Sequence, residues 1–172
     1  SIFMRTSTRE PFSIYILTMD VSHIKPQYRA LPEEQAQVLN TVAANFNPGN
    51  RVTRIDVIEE YNACFASCPN ETAYCSPYTL LRLLADDLPQ IPDKILYLDA
   101  DIMFNRDITL LYNHDISQYE YAAARDHYGK YILNPNYINA GVLLLNMKMI
   151  RQTGLFVKAR NLLKRKKLLF AD

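Results

Sequence analysis

The sequence predicts an α/β fold with a mostly parallel central sheet flanked by helices, and three observations carry that reading. Short apolar segments alternate with segments of helical period along the 172 residues. The first of them, Ser13–Thr18, is apolar on both faces, as a strand covered on both sides should be. No internal repeat or low-complexity linker interrupts the alternation, and at ~100–200 residues per domain the length suits one domain over 1–172. Apolar residues at 49% and charged ones at 22% are globular proportions, which argues against a disordered chain.

The elements follow in order. After the first strand, Leu31-Pro32-Glu33-Glu34 opens a helix, with proline in the tolerated first turn and two acids facing the positive end of the dipole. Ala36, Leu39, Ala43 and Phe46 recur at helical spacing as its inward face, and Asn47-Pro48-Gly49-Asn50 ends it. Arg51 to Ile58 alternates and is β-branched, a second strand. Residues 59–75 show no clean period. Pro77 to Leu88 reads as a helix capped by Ser76, with Leu80, Leu81, Leu84 and Leu88 on one side, stopped by Pro89 and Pro92. Lys94 to Leu98 is a third strand. Tyr121 to Ala124 and Ala140 to Leu145 are two more, and a last helix covers Leu155 to Lys167.

Composition removes several functions. Four glycines, Gly49, Gly129, Gly141 and Gly154, are about a third of the usual ~7% and stand far apart. A dinucleotide-binding loop and a Walker loop both need clustered glycines, so neither is present. No apolar run reaches the ~18 residues of a membrane span, and the first residues lack the apolar core of a signal peptide. Cys64, Cys68 and Cys75 form no C-x-x-C pair, which favours reduced thiols over a zinc site and points to the cytoplasm. Charge is uneven. Residues 151–172 carry seven basic groups against Asp172, net +6, while the first 150 residues sum to −5, giving +1 overall.

The sharpest chemical feature is Leu96-Tyr97-Leu98-Asp99-Ala100-Asp101. Two carboxylates are costly in an apolar strand unless they lie at its carboxyl end, where open α/β sheets bind ligands. With a strand period of two, Asp99 and Asp101 would point the same way, and a hard divalent cation would relieve their repulsion. Oxygen donors favour magnesium or manganese over zinc. The same pattern serves three readings: a haloacid-dehalogenase-type phosphatase, a nucleotide-sugar transferase, and a nucleotide-binding module without turnover. The phosphatase normally has Thr or Val after the acid pair and places it near the N-terminus, whereas Ile102-Met103 follow here, in mid-chain.

A second motif separates them. Asn139-Ala140-Gly141-Val142-Leu143-Leu144-Leu145 heads an apolar strand. Together with Arg82-Leu83-Leu84 and Leu96 to Asp101, it resembles glycosyltransferase family 8, in which an arginine-bearing helix, LDxD, an acid after a short alanine-rich strand, and NAGVLL follow in this order. The similarity runs from Phe12 to Asp172. It implies a GT-A Rossmann-like fold and a retaining transferase that uses manganese or magnesium to move a hexose from UDP-galactose or UDP-glucose to a saccharide or glycolipid hydroxyl, as in lipopolysaccharide biosynthesis.

By the same resemblance Asp99 and Asp101 are the metal ligands, and with Ala100 they face the UDP diphosphate. Arg82 is the cation near the donor. Asp126 is the acid on the donor sugar, Asn139 contacts sugar or phosphate, and Ala140 and Gly141 leave room for it. Asp172 matches the first acid of the family's D-Q-D segment near the reacting centre. Relative to the family the chain reads as cut at both ends, lacking the first strand and the C-terminal part with its metal-binding histidine. The 172 residues alone are therefore expected to bind metal and UDP weakly and to turn over poorly. His23, His114 and His127 read as surface or loop histidines, with His127 nearest the presumed site. The basic helix 155–167 reads as a solvated face, with peripheral contact to an anionic inner membrane as its sharper alternative. A single cluster without interleaved aromatics argues against nucleic acid.

Overall fold

The computed structural model describes residues 1–71 and 76–167. In chain order the elements are α1 (Ile2–Arg5), β1 (Ser13–Thr18), α2 (Glu33–Phe46), β2 (Arg51–Asp56), α3 (Ile58–Phe65) and a 3-10 helix (Pro77–Leu84). Then come β3 (Lys94–Leu98), α4 (Thr109–Tyr112), β4 (Tyr121–Arg125), α5 (Gly129–Ile132), β5 (Ile138–Asn146), α6 (Met147–Thr153) and α7 (Leu155–Arg165). The described residues divide into two units: Thr8–Asp87 with 157–167, and Ser1–Ser7 with Leu88–Phe156.

In the first of these units β1 and β2 pair in parallel, from Ser13 opposite Arg51 to Thr18 opposite Asp56. The crossover between them is α2, which packs on β2. Its inward face is not the one expected. Ala36 and Ala43 are buried, but Leu39 and Phe46 are 43% and 55% exposed. Asn40 takes the place between the two alanines, because its Oδ1 accepts the Val52 amide at 2.9 Å. A buried asparagine closes the turn after α2. Asn50 accepts the Phe12 amide at 2.8 Å and donates to the Ala43 carbonyl at 2.9 Å.

The leucine-rich segment is a 3-10 helix ending at Leu84 rather than an α-helix to Leu88. Thr79 Oγ1 donates to the Ser76 carbonyl (2.8 Å) and Arg82 Nε to the Thr79 carbonyl (2.9 Å), so side chains take acceptors that a longer helix would use. Its packing is as expected: Leu80, Leu81, Leu84 and Leu88 are all buried, and Ser76 Oγ accepts the Tyr78 amide. The last helix runs to Arg165. Asn70, buried, donates from Nδ2 to the carbonyls of Leu163 and Lys166 at 2.7 Å each, satisfying its C-terminal end. Arg160 on the same helix is buried against Asp86 and the Leu83 carbonyl, and its Nη2 lies 2.9 Å from Asp87.

The other unit holds a three-stranded sheet in the order β3-β5-β4, with β5 antiparallel to both neighbours. β3 and β4 run the same way, so α/β character and parallel strands are present, while the pairing itself is mixed. The cause is the link between β4 and β5. It carries only the four-residue α5, and a chain that returns without a full crossover enters the sheet antiparallel. Leu143, Leu144 and Leu145 of β5 are buried. Asp107 holds the first residues of the chain, accepting from Thr6 Oγ1 (3.1 Å), Ser7 Oγ (2.7 Å) and the Thr109 amide (2.9 Å). The hydroxyl and amide of Ser7 and those of Thr109 keep its carboxyl well below the ordinary carboxylate range.

Candidate active site

β3 stops at Leu98, and Asp99–Ile102 form a turn closed by the Ile102 amide on the Asp99 carbonyl (3.3 Å). Asp101 therefore stands on a turn, where a strand period no longer sets its direction. Asp99 keeps one more ladder bond, its amide donating to the Gly141 carbonyl at 2.9 Å. This places it directly beside Gly141, one step beyond the Leu98–Val142 pair.

The side chain of Asp99 is held on two sides. Tyr97, two residues back on the same strand face, donates its hydroxyl to Asp99 Oδ1 at 2.6 Å. On the other side, a Cβ on residue 141 would lie 2.8 Å from Asp99 Oδ2, so a side chain there would push the carboxylate aside. The glycine of the second motif thus makes room for the carboxylate of the first. Sequence reasoning passed over Tyr97 among the apolar residues of β3, although its i, i+2 relation to Asp99 was there to be read. Asp101 and Ala100 are exposed at the tip of the turn.

β4 ends beside the start of β5, with Arg125 opposite Ile138 and the Asp126 amide donating to the Tyr137 carbonyl at 3.0 Å. Asp126 Oδ1 accepts the amides of Tyr128 (3.0 Å) and Gly129 (2.6 Å) at the start of α5. The Gly129 bond above all keeps the Asp126 carboxyl low; burial opposes it, and the Tyr128 amide, the Asn139 side chain and nearby His127 add to the lowering. Asn139 Oδ1 in turn accepts the Gly141 amide at 3.1 Å. Asp99, Gly141, Asn139 and Asp126 thus form a continuous polar run across the carboxyl ends of β3 and β4 and the start of β5. Beyond it, His127 meets Tyr128 and Tyr131 edge-on at 5.0 and 6.5 Å between ring centres, and Tyr128 and Tyr131 are 74% and 79% exposed.

Arg82 and Asp172 complete the expected site residues. Arg82 belongs to the unit of β1 and β2, where it is buried and bonded to Thr79. Asp172 lies outside the described residues, as does Cys75. Cys64 and Cys68 carry free thiols. Among the described residues, no group of three or more His, Cys, Asp and Glu is arranged to hold a metal ion. The donors that are present are hard oxygens, and the gap at Gly141 leaves Asp99 Oδ2 uncrowded by its neighbour in the ladder. That set suits a divalent cation completing its shell with ligands from outside.

The mixed α/β fold is that of GT-A glycosyltransferases. Residues 12–170 match the family described as Glycosyl transferase family 8. The chain belongs to that family. It is 26% identical over 165 residues to a Haemophilus influenzae protein assigned as a glycosyltransferase, covering 90% of this chain and 46% of that one. Its fold is similar to that of the Streptococcus pneumoniae glycosyltransferase GlyE, with a TM-score of 0.63 and 24% identity over 91% of this chain and 32% of the other. It is also similar to the galactosyltransferase LgtC solved with donor and acceptor sugar analogues, with a TM-score of 0.57 and 23% identity over 90% of this chain and 67% of the other. The chain thus spans less than half the length of the Haemophilus relative it matches.

Proposed function

We propose that this chain carries the donor half of a metal-dependent, retaining hexosyltransferase that moves galactose or glucose from its UDP-sugar to a saccharide or glycolipid hydroxyl. The observation that carries the reading is the fixed carboxylate of Asp99 beside Gly141, continued by Asn139 and Asp126 along the same strand ends. The galactosyltransferase bound to donor and acceptor sugar analogues supports the donor class by likeness. The match from 12 to 170 runs through both units, which supports one nucleotide-sugar-binding domain.

In this reading Asp99 and Asp101 hold manganese or magnesium, with Ala100 leaving the turn slim enough for a diphosphate to approach. The ion, when bound, supplies Lewis-acid stabilisation of charge on the departing diphosphate. Asn139, with both a donor and an acceptor in one amide, orients the donor sugar beside Asp126, and Ala140 and Gly141 keep the strand start narrow there. Arg82 supplies positive charge toward the donor, and Asp172 acts near the reacting carbon. Tight positioning of this kind is where such an enzyme gains its rate.

The exposed cations Lys158, Lys164, Arg165, Lys166 and Lys167 suit peripheral attachment to the anionic cytoplasmic face of the inner membrane, where lipopolysaccharide acceptors are built. Arg160 is excluded from that surface by its burial against Asp86. No helix among the described residues is long and apolar enough to cross a membrane. Sedimentation with anionic liposomes should fall as salt rises.

Calorimetric titration with UDP, with and without manganese, tests the core of the proposal. UDP should bind the wild type only with the metal, and Asp99→Ala should abolish the metal-dependent part. Equal binding without metal, or hydrolysis of a phosphomonoester in place of UDP binding, would overturn it.

A further inference from the structure

Asp99 is the one carboxylate of the strand-end run that takes a side-chain hydroxyl at close range. The Tyr97 hydroxyl reaches Oδ1 at 2.6 Å, in the range of short hydrogen bonds to charged oxygen. An aspartate at the end of a strand has two free torsions. Here its backbone is pinned by the Gly141 carbonyl at 2.9 Å, one carboxylate oxygen by Tyr97, and the other projects over residue 141, where no Cβ is present. Two features that look independent in sequence, a tyrosine inside the third strand and a glycine in the fifth, converge on one side chain. The tyrosine oxygen uses its proton on Oδ1, which leaves the Oδ2 lone pairs for another ligand.

We infer that Tyr97 is a positioning residue: its hydroxyl locks Asp99 in the rotamer that presents Oδ2 to the divalent cation, and Gly141 keeps that rotamer open. This rests on the proposed metal-dependent donor site and assigns a role within it. Partners that orient a metal-ligating group typically account for ~10–100-fold in metal affinity. Tyr97→Phe removes the hydroxyl and keeps the ring. Gly141→Ala attacks the same rotamer from the other side, because its Cβ and Asp99 Oδ2 cannot share 2.8 Å.

The experiment is manganese titration of each variant, followed by the electron paramagnetic resonance of free Mn2+, in the presence of UDP. Thermal unfolding is recorded on the same samples. We expect Tyr97→Phe to weaken manganese binding about 10–100-fold and Gly141→Ala to weaken it at least as much, with melting of Tyr97→Phe close to wild type. Manganese binding by Tyr97→Phe equal to wild type would overturn the positioning role and leave the metal site standing. So would a loss matched by lowered melting and not reproduced by Gly141→Ala. A wild type that takes up no manganese with UDP would sink the metal-site reading, and this inference with it.

Discussion

Asp86 and Asp99 both follow apolar segments, and the chain treats their charges in opposite ways. Asp86 is 5% exposed and meets the guanidinium of Arg160, itself 7% exposed, which also bonds the Leu83 carbonyl and reaches Asp87. Burial works against the Arg160 charge, and the Asp86 hydrogen bond with the Asp86 and Asp87 charges outweighs it, so the guanidinium stays firmly protonated. Asp99 is half-buried and held by neutral groups, the Tyr97 hydroxyl and the Gly141 carbonyl on its backbone. Among the described residues no lysine or arginine pairs with Asp99 or Asp101. A carboxylate matched by a cation of its own unit is spent on the fold. One that is oriented by neutral groups, as Asp99 is, fits the proposed role of a ligand.

The comparison can be broken from the saturated side first, where the largest stability effect is expected. Arg160→Met removes one partner of a buried pair and takes from Asp86 its Arg160 guanidinium, for about 3–5 kcal/mol. Chemical denaturation of the variant measures it. The double variant Arg160→Met/Asp86→Leu should recover much of the loss, because an apolar pair of similar volume replaces the ions. The acid pair of the site should behave otherwise: Asp99→Ala should leave the denaturation midpoint nearly unchanged while removing metal-dependent UDP binding. Next in size is Asn70→Ala, which strips two carbonyls at the end of α7 of their buried donor and should cost about 1–3 kcal/mol in the same assay.

How far these residues could be read in advance differs by the kind of bond. β1 and β3 were legible to the residue, since their limits follow from apolar runs and breakers alone. So was the location of the acid pair at a strand end, because only there does an apolar strand tolerate it. α6 was missed, although Asn146, whose Oδ1 accepts the Met149 amide at 3.1 Å, is an ordinary cap signal. α3 was hidden by its cysteines and polar residues, and its burial rests on Tyr61 and Phe65 alone. Asn40 facing inward on α2, the direction of β5 and the hold of Tyr97 on Asp99 all depend on a partner far along the chain or on local turn geometry. A hydrophobic period cannot report them. The glycine motif was recognised but its neighbour was not. Gly141 also makes room for the carboxylate of Asp99, which the motif by itself does not report.

The smallest effect, and the finest distinction between the two kinds of acid, lies at Asp126. It accepts the Tyr128 and Gly129 amides at the start of α5, and those bonds lower its carboxyl. The sign follows. A carboxyl lower in the folded chain than its unfolded value of ~3.9 contributes above that value, and the contribution fades as pH falls through the folded one. The Tyr128 and Gly129 amides should therefore stay protected from hydrogen exchange at neutral pH and lose protection below the ordinary carboxylate value. Asp126→Asn keeps an acceptor of nearly equal capping strength, so protection should persist with its pH dependence gone. Asp126→Ala should expose both amides at every pH. If Asp126→Asn instead loses protection at neutral pH, the charge and not the acceptor holds α5. Asp126 would then resemble Asp86, spent on its own fold, and the run of ligand-ready groups would end at Asn139.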